Sequence, residues 1–150
     1  MDAETVLTFW LGELDGEGLC SAEKRSRWWL SEPAFDQEVR ERFGGLIDSI
    51  QDGGQRAWLE TPRGRLAYVI ALDQFPRNAF RGTPRAFAYD SLALATAEEG
   101  ITLGHDRSLL GHERVFLYMP LMHAEDLSTQ ERCLSLLESF RDESSGALRN

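Results

Sequence analysis

Cysteine, lysine and long apolar runs are all scarce in this chain, and each scarcity narrows what the protein can be. Cys20 and Cys133 are the only two cysteines, far apart and in no metal-ligand spacing, so they read as reduced structural thiols rather than a disulfide framework. No apolar run approaches the ~20 residues of a membrane span. The opening Met1-Asp2-Ala3-Glu4 has neither the basic end nor the apolar stretch of a signal peptide. A cytoplasmic protein with no membrane partner is expected. Lys24 is the sole lysine, and a net charge of −9 argues against a nucleic-acid partner, whose phosphates demand clustered positive charge.

Motifs for several chemistries are missing as well. There is no Gly-x-Ser-x-Gly elbow, and neither cysteine sits in a Cys-His signature. Gly12, Gly16 and Gly18 lie in an acidic loop without the lysine of a phosphate cradle. His112 and His123 are eleven residues apart with Pro120 between them, and no His-x-x-x-His, Glu-x-x-His or His-Glu-x-x-His places two ligands on one helical face. No metal and no cofactor are therefore expected.

What is present describes a globular domain. At 150 residues the chain is one domain, 1–150, long enough to remove roughly 70% of its unfolded surface from water. With 42% hydrophobic residues, four Trp and eight Phe, it is too apolar for disorder. Its basic charge is almost all arginine and is uneven. From Arg56 to Arg85, six arginines stand against Glu60 and Asp73, a local balance of +4 inside an acidic whole. Arginine suits bidentate pairing with carboxylate or phosphate better than lysine does.

Helical spacing dominates throughout, so the expected fold is all-α, with antiparallel helical hairpins. Asp2 is a candidate cap for a helix ending at Leu11, and residues 12–20 read as loop. A short helix is expected over Arg25–Leu30 with Trp28 and Trp29. Ser31 is expected to cap a longer helix that has Pro33 in its first turn and ends at Gly53-Gly54. Its Phe35, Val39, Phe43, Leu46, Ile47 and Ile50 share one face. Thr61-Pro62 and Thr83-Pro84 each read as a capping hydroxyl followed by a proline suited to the first helical position. The first of these helices should stop at Phe75, because Pro76 disfavours helical backbone before it. The second should run from Pro84 to Glu99 with Gly100 as its stop. A further helix heads toward Pro120, which must kink or end it. Ser128-x-x-Glu131 reads as a capping box, with Leu127 as staple, opening the last helix. Trp10, Trp28, Trp29 and Trp58 read as packing residues.

Two stretches mix groups that are costly to bury with groups that must be buried. One is Asp73-Gln74-Phe75-Pro76-Arg77-Asn78-Ala79-Phe80-Arg81-Gly82-Thr83-Pro84-Arg85-Ala86-Phe87-Ala88. The other is Glu113-Arg114-Val115-Phe116-Leu117-Tyr118-Met119-Pro120-Leu121-Met122-His123-Ala124-Glu125-Asp126. Both resemble the signature stretches of the bacterial domain of unknown function 924 family, and the resemblance extends from Phe9-Trp10 to about Phe140. It implies an all-helical, tetratricopeptide-like array and no established activity. Members of that family also carry a third, C-terminal signature similar to Asp73–Asn78, which Ser144–Asn150 does not match, so a site built from both copies would be incomplete.

The chemistry of these stretches admits two readings. Arg77, Arg81 and Arg85 recur every four residues and can converge on one anion, with Gln74 and Asn78 adding neutral hydrogen bonds. Alternatively they pair internally with Asp73, Asp90, Glu113, Glu125 and Asp126 in a structural network. The ligand-binding candidates are thus Asp73, Gln74, Arg77, Asn78, Arg81, Arg85, Asp90, Glu113, Tyr118, His123 and Glu125. Two function classes follow: a binding module for an acidic peptide, a protein partner or a small anionic ligand, or a small-molecule enzyme with His123 or Glu125 as acid or base.

Overall fold

The fold grows outward from one helix that has no solvent face. The computed structural model describes residues 1–149, with side chains as far as Glu143, so the expectation about the motif missing from residues 144–150 lies outside the described side chains. Seven helices follow in order: α1 (Ala3–Leu11), α2 (Ala22–Trp29), α3 (Pro33–Gln51), α4 (Pro62–Ala79), α5 (Asp90–Thr102), α6 (Gly111–His123) and α7 (Leu127–Arg149). Among the described residues there is no strand. Every side of α4 from Gly64 to Asp73 is buried, which is how a helix apolar all round must be placed. It packs on α1, α3, α5 and α6, and consecutive helices pair from α3 through α7.

Aromatic rings fill the space between α1, α3, α4 and α6. Phe43 and Phe75 stack at 4.4 Å between centroids, Phe9 lies 4.9 Å from Phe43, and Trp10 meets Phe75 and Phe116 edge-on. Truncating one such ring to Ala would cost about 3–5 kcal/mol. The α3 face is buried as its spacing implies. A Schellman turn closes that helix: the Gly54 and Gly53 amides donate to the Ser49 and Ile50 carbonyls, with Gly53 at φ +94°. Trp10 and Trp28 pack as expected, whereas Trp29 is exposed.

Several boundaries differ from the sequence expectation, each for a physical reason. Helix α2 begins at Ala22, not Arg25, because the Ser21 hydroxyl accepts the Lys24 amide. Ser31 is not the cap of α3: Pro33 holds Glu32 extended, so Glu32 takes the cap position without a side-chain bond. Helix α4 continues past Pro76 to Ala79. The lost amide costs about 3 kcal/mol, and burial of Phe75, Pro76, Asn78 and Ala79, together with Arg40 donating to the Ala79 carbonyl, offsets it. The Thr83 hydroxyl donates to the Phe80 carbonyl instead of capping, so Pro84–Phe87 makes one 3₁₀ turn and α5 starts at Asp90. Pro120 lies inside α6, where buried Leu117, Tyr118 and Leu121 hold the helix through it. Asp126, not Ser128, caps α7 by accepting the Thr129 amide, and Leu127 is too exposed to act as a staple.

Gly100 does not end α5. It lies where a Cβ would meet Arg65 Cδ at 2.5 Å, and Arg65 is almost wholly buried, donating to the Thr96 and Leu59 carbonyls and to His105 Nδ1. Gly100→Ala should therefore destabilise the fold by about 1–3 kcal/mol in urea unfolding, the cost of overpacking, instead of gaining the stability an exposed helical Gly→Ala brings. A neutral or stabilising result would show that Arg65 moves freely.

Burial and a nearby arginine hold His105 and His112 below their ordinary pKa of 6.5, and both accept a hydrogen bond at Nδ1. The unfolded chain therefore binds these protons more readily than the fold does. Their contribution to stability is complete above the ordinary value and is lost as pH falls from there through their lowered folded values. The urea midpoint should drop between about pH 7.5 and about pH 5.5, and a flat or rising midpoint over that range would contradict this.

Candidate functional site

Asp73 sits on α4 with essentially no exposure, and a buried carboxylate requires donors. Gln74 supplies one, its Nε2 donating to Oδ2 at 2.9 Å. Arg77, one helical turn on, contacts Oδ1 at 3.3 Å and the Asp73 carbonyl at 2.7 Å. His123, the last residue of α6, places Nδ1 2.8 Å from Oδ1. The fork of Arg77 then closes on Asp90, the first residue of α5, with bonds of 2.9 and 3.0 Å. Both partners suit their helix ends, since a cation is favoured at a C-terminus and an anion at an N-terminus.

Arg77, Asp90 and His123 line a groove of about 760 Å³ between the end of α4, the start of α5 and the end of α6. Arg77, Asp90, His123, Glu125 and Asp126 supply its polar wall, and Phe87, Leu94 and Pro120 its apolar wall. The Arg77 guanidinium lies 5.4 Å from the Phe87 ring centroid. Asp126 is also the cap of α7, and its hydrogen bonds from Thr129 and Ser128 hold its carboxyl below the usual range. Chemically the site offers an imidazole held from behind by a carboxylate, beside a satisfied arginine and one carboxylate, Glu125, with no partner among the described residues.

The remaining sequence candidates lie elsewhere. Arg81 forks onto Asp36 at 2.7 and 3.2 Å, and Asn78 donates to the same carboxylate at 2.9 Å. Arg85 bonds Asp48 at 2.5 Å and Tyr89 at 3.0 Å while stacking on Phe80. The three arginines thus hold four carboxylates, Arg77 two and Arg81 and Arg85 one each, and share none. Glu113 pairs with Arg63, which also forks onto Glu4 and lowers that carboxyl. Tyr118 is interior, donating to Asp106 at 2.5 Å and accepting from Arg114 at 3.0 Å, and burial first, then Asp106, pushes its hydroxyl up to about 12. His112 is about 16 Å along α6 from His123, and the described residues contain no cluster of three or more metal-ligating side chains.

Asp36, Asp48, Arg65 and Asp106 were not singled out by the sequence. Asp36 and Asp48 look like solvated positions of an amphipathic helix, and only the docking of α3 beside α4 turns them toward arginines. Arg65 stands at the head of the apolar run Leu66–Leu72, which was the available signal.

The family model described as bacterial protein of unknown function (DUF924) matches residues 6–149. The chain belongs to this family. A solved structure, the protein of unknown function ATU0120 from Agrobacterium tumefaciens, is 32% identical, with a TM-score of 0.79 over 96% of this chain and 78% of that one. No curated protein matches the chain. Within this DUF924 chain, the two signature stretches meet at the Asp73–His123 bond.

Removing Arg77 would leave a sealed carboxylate short of a cation, whereas Arg81 and Arg85 are nearly half exposed. Arg77→Ala should cost about 2–4 kcal/mol, and Arg81→Ala and Arg85→Ala about 1 kcal/mol or less each. Urea unfolding of the three variants checks this ranking, and equal losses would contradict it.

Proposed function

We propose that the groove is a small-molecule site at which His123 moves a proton, with Asp73 positioning its ring and Arg77 positioning Asp73. The observation that carries this reading is the 2.8 Å contact between His123 Nδ1 and a carboxylate sealed from solvent. An ionised carboxylate can only accept, so Nδ1 donates to it, and in the neutral ring this leaves the Nε2 lone pair free to take a proton. The imidazole is itself partly exposed and forms part of the groove wall. A carboxylate behind a histidine fixes the tautomer and stabilises the imidazolium once the ring has taken a proton. Glu125, on the same wall, offers a second group for returning a proton to the substrate.

Recognition of an acidic peptide or small anion by Arg77, Arg81 and Arg85 together has less support. Each guanidinium already holds a carboxylate, and the acids around the groove outnumber its one arginine. We also read the paired helices as tetratricopeptide-like hairpins in a cytoplasmic protein. The succession of helix pairs and the two buried free thiols support this.

The test is a panel of small esters, lactones, amides and phosphoesters assayed with the wild-type protein, His123→Ala and Asp73→Asn. Turnover of at least one substrate is expected, falling roughly 10²–10⁴-fold in His123→Ala, with a loss also in Asp73→Asn, whose amide can present the wrong partner to Nδ1. Turnover that survives His123→Ala would sink the proposal. So would a panel with no turnover at all, which would reduce the pair to a structural bond.

A further inference from the structure

A second cavity, of about 610 Å³, lies at the opposite end of α6 from His123, between the loop before α2, the start of α6 and residues 137–141 of α7. Its walls are mainly apolar: Leu19, Leu110, Val115, Leu137 and Phe140. Leu19 and Leu110 are exposed, so this is a pocket open to solvent on one side, and its shape depends on what fixes the loop. The loop is pinned to α6 instead of settling onto α7. The His112 amide donates to the Gly18 carbonyl, and the Cys20 amide donates to His112 Nδ1, both at 2.9 Å. Gly18 and Gly111 both have positive φ. A Cβ on Gly111 would lie 2.3 Å from the Gly18 carbonyl oxygen, and one on Gly18 would lie 2.6 Å from the Leu110 backbone. The backbones therefore touch directly, and the loop cannot slide to fill the space.

Among the described residues, the polar groups at this cavity are few. His112 lines it, and because Nδ1 accepts the Cys20 amide, the neutral ring carries its proton on Nε2 as a donor. Burial keeps that ring neutral by lowering its pKa. Glu17 and Arg141 supply one charge of each sign, so the described lining carries no net charge. A volume of this size, apolar walls and one fixed donor are the features of a preformed small-ligand pocket.

We infer that this cavity binds a single aliphatic chain ending in a hydrogen-bond acceptor, either a carboxylate or an amide, with His112 Nε2 donating to that end. The site is independent of the groove at His123. Calorimetric titration of the full chain with octanoate, octanamide and octylamine tests it. Octanoate and octanamide should each bind saturably, one per chain, and octylamine at least tenfold more weakly. Val115→Trp and Leu19→Trp, which fill the cavity from two different walls, should each weaken octanoate at least tenfold while circular dichroism stays helical. Leu19 is partly exposed on a loop, so its variant decides the matter even where Val115→Trp fails to fold. Absence of saturable binding, octanoate binding unchanged in Leu19→Trp, or octylamine binding as well as octanoate would each overturn the inference.

Discussion

The bond between Asp73 and His123 depends on a carboxylate placed where water cannot reach it. A charge in that position is tolerated only when donors surround it, and here Gln74, Arg77 and His123 do so. Arg77 in turn requires a second acid, which Asp90 provides from the first position of α5. The end of α4, the start of α5 and the end of α6 are thereby tied to one another through charges, and the groove is the space left above them. An apolar residue in place of Asp73 would relieve the burial cost but remove the reason for this arrangement.

The opposite half of α4 solves a related problem in a different way. Arg65 is as buried as Asp73, yet backbone carbonyls and His105 satisfy most of its donors, with Glu99 at 3.5 Å as its nearest acid. A guanidinium has enough donors to be answered by neutral acceptors, whereas a carboxylate deep in the protein needs cationic or amide partners. This difference leaves Arg65 as a structural strut, with Gly100 opened to admit it, and leaves Asp73 engaged with a histidine that faces outward.

Much of the architecture was legible from local chemistry. Asp2 capping α1, the buried face of α3 and its Gly53-Gly54 end all follow from spacing and from the special backbone of glycine. The meeting of the two signature stretches was legible only as residue types with related needs, a buried acid in one and a histidine in the other. The helix limits at Pro76, Pro120 and Gly100 were not legible. Local rules set a penalty of about 3 kcal/mol for an interior proline, and that penalty is smaller than what the surrounding core supplies.

The sequence by itself determined the helical class, most of the helices and the chemical inventory, because these depend on propensity, periodicity and capping within a few residues. The tertiary structure alone decided which acid answers which arginine. Asp36 and Asp48 come from α3, 45 and 37 residues from the arginines they hold, and nothing in their neighbourhoods marks them. Pairing at that separation is set by how helices dock, and docking is set by apolar burial with little regard for the charges carried along with it.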